Sequence, residues 1–310
     1  YGAFGDRDST YVLSSDGVLR LAAETDRPAV KTQWAKDAAY AMDRVGDDLV
    51  IAGHFNLSVI QGTRELHVGA RDLYPRVLDV SAKAPNRVWI GTSLGVAVAE
   101  RSAQGAWRVL AHHVQPQANV TDIIEADADG RSVWLATDRY GIMRVTLSAA
   151  LDKLESLERI GAQQGLVIND PTKGTRLSRV GGQLIAATDA GLFAWNGKRF
   201  EPTTVDGLSP WLTRADIIKI VETRDGHRWA SSHRIVLHQS AGQPWRLSEV
   251  TSFQRGPFTD VGIDSTGAPL VGGSAVLFRG TSRAFAASIA SESDGVTKIL
   301  RPMMRLRSPS

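Results

Sequence analysis

Asn86 to Val98, Asn-Arg-Val-Trp-Ile-Gly-Thr-Ser-Leu-Gly-Val-Ala-Val, is written as a β-hairpin. An apolar run, Val88-Trp89-Ile90, ends in Gly91-Thr92. After a two-residue bend, Gly95 opens a second apolar run to Val98. The pattern predicts two antiparallel strands, with Gly95 supplying a positive φ where the turn exits. The unit recurs. Leu49 to Asn56 has the same form, with Asn56 in the Gly95 place. Val133 to Gly141 and Leu184 to Gly191 repeat it, and weaker copies lie at Thr10–Gly17, Arg228–Ser232 and Pro269–Gly273. With Trp89 as anchor, the equivalent positions are Tyr11, Val50, Trp89, Trp134, Ile185, Trp229 and Leu270, a mean interval of about 43 residues. Several short strands repeating every ~40–50 residues mark the blades of a β-propeller, and seven such units account for a chain of 310 residues.

The fold predicted is therefore all-β: one domain over residues 1–310, a seven-bladed β-propeller of four-stranded antiparallel blades. In each unit a strand A precedes the anchor, as in Val77–Val80, Val120–Ile124, Ala215–Ile220 and Thr259–Ile263. A polar turn follows, then strand B with the anchor, strand C after its glycine, and a variable strand D. The A strands are apolar on both faces, as strands near a ring axis should be. The first unit has no strand A, because its anchor is Tyr11. Gly295–Leu300 resembles Val120–Ile124, so the ring is expected to close by this C-terminal strand joining the N-terminal blade, which removes an open edge. Residues 146–175 read as an insertion. In it Ser148 caps a short helix with Leu151, Leu154 and Leu157 on one side, a place for a lid or a partner contact.

Composition excludes several classes. Without cysteine, neither disulfides nor a Cys-based metal site or nucleophile is available. A net charge of +3 with no long basic tract gives no support to nucleic-acid binding. No stretch approaches the roughly 18 apolar residues of a membrane-spanning helix. The sequence opens on Tyr1 rather than Met, which is compatible with removal of a secretory segment.

The Val-Trp-Ile-Gly-Thr-x-x-Gly-Val unit of Arg87–Val96, repeated at Ser132–Ile142 and with Ile185 for Trp at Gln183–Phe193, resembles the repeat of the two-component regulator propellers. So do Gly165-Leu166 and Gly207-Leu208, each ahead of a strand A. Those propellers are periplasmic sensor domains of bacterial membrane receptors. The resemblance implies a periplasmic or extracellular ligand-sensing domain, a membrane receptor as the wider context, and a homodimer. Family sensors carry two propellers, a β-sandwich, a membrane helix and a signalling module. The present sequence reads as an excised sensor or as a free-standing relative with another task. A short structural repeat implies fold more strongly than function.

Asp127-Ala-Asp-Gly130 with Trp134 has the wrong spacing for a sialidase box, lacks the later carboxylates of a calcium loop, and reads as a turn. His112-His113, adjacent in a strand, face opposite ways and cannot chelate one ion without a bend. No hydrolase elbow, zincin helix, phosphate loop or dinucleotide fingerprint is present. No catalytic residue, metal or cofactor is assigned, although propeller active sites assemble residues from several blades. Asp79, Asp122, Asp216 and Asp260 recur in the A strands and read as a repeated structural hydrogen bond. Binding is the better-supported class. The D–A and B–C loops open on one end of the ring, and they carry Tyr74, Arg76, Arg176, Trp211, Arg214 and Tyr140, with His54, Phe55, Asp138, Arg139 and His233 nearby. Rings stack on sugar faces and guanidinium forks grip carboxylates, so a carbohydrate or an anionic small molecule is the expected ligand. Alternatives in other classes are a lyase or hydrolase with a site at the channel mouth, and a protein-interaction scaffold. Trp89, Trp134 and Trp229 are expected between blades.

Overall fold

The computed structural model describes residues 3–6, 9–21, 30–126, 129–212, 218–223, 225–248, 258–263, 269–273, 276–280 and 285–289. Alternating apolar residues broken by glycine and polar turns form short antiparallel strands, and these group into four-stranded sheets joined in chain order. Sheet 1 holds Ala3–Asp6, Ser9–Ser14, Gly17–Leu21 and Val30–Lys31. Sheet 2 holds Ala39–Val45, Asp48–Gly53, Leu57–Gln61 and Arg64–Val68. Sheet 3 holds Pro75–Val80, Arg87–Thr92, Gly95–Arg101 and Trp107–Pro116. Sheet 4 holds Val120–Glu125, Ser132–Thr137, Gly141–Leu147 and Leu154–Ile160. Sheet 5 holds Arg176–Val180, Gln183–Thr188, Gly191–Trp195 and Phe200–Pro202. Sheet 6 holds Lys219–Glu222, Arg228–Ser231, Val236–Gln239 and Arg246–Leu247, and sheet 7 holds Phe258–Ile263, Pro269–Gly273, Val276–Gly280 and Phe285–Ile289. Within each sheet the strands are A to D in that order, A being innermost. Each sequence anchor falls in a strand B.

The expectation of a seven-bladed ring closed by a C-terminal strand joining the N-terminal blade is corrected here. Sheet 1 builds its own inner strand from Ala3–Asp6, with Ala3 opposite Val12 and Phe4 opposite Tyr11. The free edge of Ser9–Ser14 is therefore already paired, and no place remains for residues 295–300, which lie outside the described residues. The inner strand of sheet 7 packs beside those of sheets 6 and 1. The first and last sheets thus meet by face contact and share no strand.

Sheets bury one another's faces. Trp89, fully buried, lies among Val96, Val98, Val133, Leu135 and Val145, between sheets 3 and 4. Trp134 meets Trp195 at 5.0 Å and Phe200 at 5.8 Å between sheets 4 and 5, and Trp229 is buried on sheet 6. Polar staples cross the same seams. The Glu125 carboxylate accepts from the Trp89 indole at 3.2 Å, the Ser81 hydroxyl at 2.5 Å and the Ala82 N–H at 2.8 Å, all on sheet 3 or its first turn. Asp48 of sheet 2 accepts from Arg101 Nε at 2.7 Å and Trp107 Nε1 at 2.8 Å, both on sheet 3.

The repeated threonine and glycine have distinct physical roles. Thr92, Thr137 and Thr188 are buried, and each closes its B–C turn. Thr92 Oγ1 accepts the Gly95 N–H at 2.8 Å, Thr137 Oγ1 accepts that of Tyr140 at 3.0 Å, and Thr188 Oγ1 that of Ala190 at 3.1 Å. A positive φ holds at Gly141 (73°) and Gly191 (131°) but not at Gly95 or Asn56. Gly95 is required for room instead: a Cβ there would stand 2.1 Å from the carbonyl oxygen of His113 and 2.4 Å from that of Gln115. The long strand D of sheet 3 passes directly over it.

Two further expectations change. Residues 148–157 form no helix: Ser148 Oγ caps a tight turn by accepting the N–H groups of Asp152 and Lys153, and Leu154–Ile160 is strand D of sheet 4. Leu151 lies in the turn, and Leu154 and Leu157 share a face because Glu155 is bulged out of the ladder, Thr146 pairing with Ser156 and Leu147 with Leu154. The inner-strand aspartates do not share one position. Asp79 lies opposite Trp89, whereas Asp122 and Asp260 lie opposite Ala136 and Gly272, two residues beyond their anchors; Asp216 lies outside the described residues. The residue level with Asp79 is Asp43, opposite Val50. The structural hydrogen bond is nonetheless repeated. Asp79 accepts the Glu125 N–H at 2.6 Å and Asp122 the Leu177 N–H at 3.1 Å, while Ser178 Oγ accepts the Ile220 N–H at 2.9 Å, each tying one inner strand to the next.

Candidate functional site

Strand A begins, and strand B ends, at one end of the ring. The D–A and B–C connections therefore gather there, at the mouth, and the A–B and C–D turns gather at the other end. At the mouth, strand A repeatedly breaks register just after its first residue. In sheet 2, Ala39 pairs with Gly53 and Ala41 with Ala52, leaving Tyr40 out of the ladder. In sheet 3, Pro75 pairs with Thr92 and Val77 with Gly91, leaving out Arg76. Sheet 4 leaves out Thr121 and sheet 7 Thr259 in the same way. Such bulges re-aim a side chain away from the alternation of its strand.

Two of these released residues meet. The Arg76 guanidinium lies 4.2 Å over the Tyr40 ring, and its Nε donates to Ser93 Oγ at 2.8 Å. The Tyr40 hydroxyl and His54 Nδ1 share a hydrogen bond of 3.0 Å. His54 stands edge-on to Phe55 at 4.3 Å, and Phe55 is 5.9 Å from Tyr74. Tyr74 is held in the left-handed region, φ 45°, by two backbone bonds: its N–H donates to Phe55 O at 3.1 Å, and its carbonyl accepts the Ser93 N–H at 3.0 Å. A non-glycine residue fixed there costs on the order of 1 kcal/mol, and such strain concentrates at binding sites. Among the described residues Arg76 forms no ion pair, so its charge is balanced only by the Tyr40 ring face and the Ser93 hydroxyl. A cation held flat against an aromatic wall, with a second aromatic pair beside it, can receive a carboxylate, a phosphate or a sugar acid.

The other expected site residues stand elsewhere. Arg176 lies at the start of strand A of sheet 5, 3.6 Å from Asp122 Oδ1. Lys219 of sheet 6 donates to the same oxygen at 2.7 Å and to Leu177 O at 2.7 Å, so this cationic pair is already engaged. Tyr140 is half-buried against the core between sheets 3 and 4. Trp211 ends a short 3-10 turn, Ser209–Trp211, and is 42% exposed, so it does not wedge between sheets. Arg214 lies outside the described residues. The structure thus joins Tyr74 and Arg76 and brings neither to Arg176, Trp211 or Tyr140. Tyr40 and Ser93 were missed by sequence reasoning. The signal available was the position of Tyr40, at the head of an A strand, where Arg76 also stands.

Deeper in the channel, Asp43 and Asp79 occupy one level on neighbouring inner strands. Burial pushes Asp43 up to about 6 against the opposing hydrogen bond from Arg44 N–H. Burial likewise pushes Asp79 up to about 6, with the Asp43 and Glu125 charges adding to the effect and the Glu125 N–H opposing it. At the opposite end a polar cleft of about 550 Å³ opens at the turns of sheet 6. There Arg228 donates to Glu222 at 2.8 Å and to Asp206 and Gln239. Among the described residues no group of three or more His, Cys, Asp or Glu is placed to hold a metal ion. His112 and His113 follow one another along strand D of sheet 3, opposite Ala97 and Val96.

No family model matches the sequence, and no curated protein does. Solved structures do. YCF48 bound to D1 peptide is 10% identical with a TM-score of 0.60, over 94% of this chain and 91% of that one. The extracellular domain of the hybrid two component system BT3049 from B. thetaiotaomicron is 10% identical with a TM-score of 0.58, over 93% of this chain and 46% of that one. Virginiamycin B lyase from Staphylococcus aureus is 10% identical with a TM-score of 0.55, over 92% of this chain and 89% of that one. The present chain spans less than half of the BT3049 domain. The likeness in every case is one of fold: a β-propeller, shared by two-component sensors among others.

Proposed function

We propose that this chain is an extracytoplasmic ligand-binding propeller of the sensor type, with its ligand at the mouth beside Arg76 and Tyr74. The observation that carries this is the Arg76 cluster. It is assembled from bulged inner-strand residues and turns of two neighbouring sheets, with a cation that no carboxylate of the described residues neutralises. The ligand is a carbohydrate or an anionic small molecule, stacked on Phe55 or Tyr74 and charge-paired with Arg76. The propeller likeness to the extracellular domain of a two-component system supports a receptor context, with signalling through the arrangement of a dimer. Trp211, exposed at the same end, serves as an outlying contact for a ligand long enough to reach it.

A thermal-shift screen against acidic sugars tests the proposal. At least one acidic sugar raises the melting temperature, and Arg76→Ala abolishes the rise. No response from folded protein, or a response indifferent to Arg76→Ala, overturns it. A second reading, a scaffold for another protein, is favoured by the exposure of Val167 and Trp211 on the same end of the ring. Crosslinking in the source cells separates the two. The lyase neighbour shares only the fold, so no reaction is assigned.

A further inference from the structure

The Arg76 cluster continues into an apolar ledge. Phe55 at the tip of the B–C turn of sheet 2 is 39% exposed, Leu94 at the tip of the B–C turn of sheet 3 is 43% exposed, and Val114 is 48% exposed. These are joined in space. Phe55 is 5.9 Å from Tyr74, whose carbonyl accepts the Ser93 N–H, and Leu94 is the next residue. Gly95 pairs with Pro116, and Leu94 O accepts the Gln117 N–H at 2.8 Å, which brings the end of the strand carrying Val114 against the Leu94 turn. Strand D crosses Gly95 at a distance that excludes even a methyl group, which fixes the backbone next to Leu94.

A polar sugar can stack on Phe55, but neither it nor a bare anion gains from Leu94 and Val114. A ligand pinned by its charge at Arg76 would lay whatever it carries next across Tyr74 and Phe55 toward Leu94 and Val114. We infer that the ligand of this site is an amphiphilic anion: a small molecule with an acidic head for Arg76 and an apolar arm seated on Phe55, Leu94 and Val114. The inference rests on the preceding reading that Arg76 binds an anion. Each methylene taken out of water adds roughly a factor of four to affinity, so a short alkyl arm covering the ledge adds at least about tenfold.

The test uses two probes of equal charge, glucuronate and hexyl β-D-glucuronide, titrated calorimetrically into the whole chain. The hexyl conjugate binds at least about tenfold tighter. A Leu94→Ser, Val114→Ser double substitution brings it down to the affinity of glucuronate and leaves glucuronate itself unchanged; Arg76→Ala weakens both. Equal affinities for the two probes, or a hexyl advantage that survives the double substitution, overturn the apolar arm while leaving anion binding at Arg76 standing. Binding of neither probe overturns both. A concentration-dependent dimer in sedimentation that the double substitution dissolves assigns the ledge to a second copy and also overturns the inference. The substituted side chains are exposed, and a circular dichroism spectrum matching the parent confirms that the variant is folded.

Discussion

The two ends of the ring are built from the same strands but carry different surfaces. At the turn end, cations are paired: Arg87 with Glu100 at 3.0 Å, Arg101 with Asp48 at 2.7 Å, and Arg228 with Glu222 at 2.8 Å. At the mouth, Arg176 and Lys219 share Asp122 but Arg76 lies on a ring face, and five of the large apolar side chains exposed among the described residues gather there: Phe55, Leu94, Val167 and Trp211 in its loops and Val114 near the end of a strand D. The turn end holds the Glu125 and Asp48 staples between sheets, and the mouth holds the exposed surface suited to recognition. If that division is real, substitutions at the turn end change stability, and those at the mouth change binding with little effect on the fold.

The sharpest break of this contrast is Glu125→Ala. It leaves the Trp89 indole, the Ser81 hydroxyl and the Ala82 N–H without their acceptor in a buried seam. A loss of about 3–4 kcal/mol in urea unfolding is expected. A loss below about 1 kcal/mol would show that the seam does not depend on this staple.

Asp43 and Asp79 carry the comparison into the channel. Both titrate near 6 in the folded chain, above the ordinary carboxylate value, so the native state holds more protons than the unfolded one between about pH 4 and 6. Their stabilising contribution is therefore complete below about pH 4 and is lost as pH rises through 6, on the order of 3 kcal/mol for each. Urea midpoints of the parent and of an Asp43→Asn, Asp79→Asn variant, measured from pH 4 to 7, check the sign. The parent should fall relative to the variant as pH rises, and a relative rise would refute the assignment. The smallest expected effect is that of Arg76→Ala on stability. It should cost no more than about 1 kcal/mol, because a cation on a part-exposed ring and one hydroxyl bond are all it loses. A larger loss in the same urea titration would make Arg76 part of the frame.

Much of this frame was legible from sequence. Every anchor from Tyr11 to Leu270 fell in a strand B, and Trp89, Trp134 and Trp229 are buried where a repeated aromatic should be. The failures have local causes. Ala3–Asp6 is four residues long with a glycine inside, so it carries too little pattern to register as an inner strand. Leu151, Leu154 and Leu157 keep a helical spacing although the chain is a turn followed by an outer strand. Gly95 was given a dihedral reason, when the crossing strand supplies a steric one. The candidate site was half visible. Tyr74 and Arg76 could be picked from their place at the head of an inner strand, and Tyr40 holds the matching place in sheet 2; that Tyr40 meets Arg76 was hidden, because bulges set both directions and leave no mark in a periodicity of two.

That bulge has a consequence for how such a ring diversifies. A residue outside the ladder can be exchanged without shifting the register of its strand, so Tyr40, Arg76 and Thr121 form a set of sockets around one opening. Swapping the occupants of those sockets would retune what the opening accepts while every sheet keeps its pairing, an inexpensive route to new specificities from an unchanged scaffold.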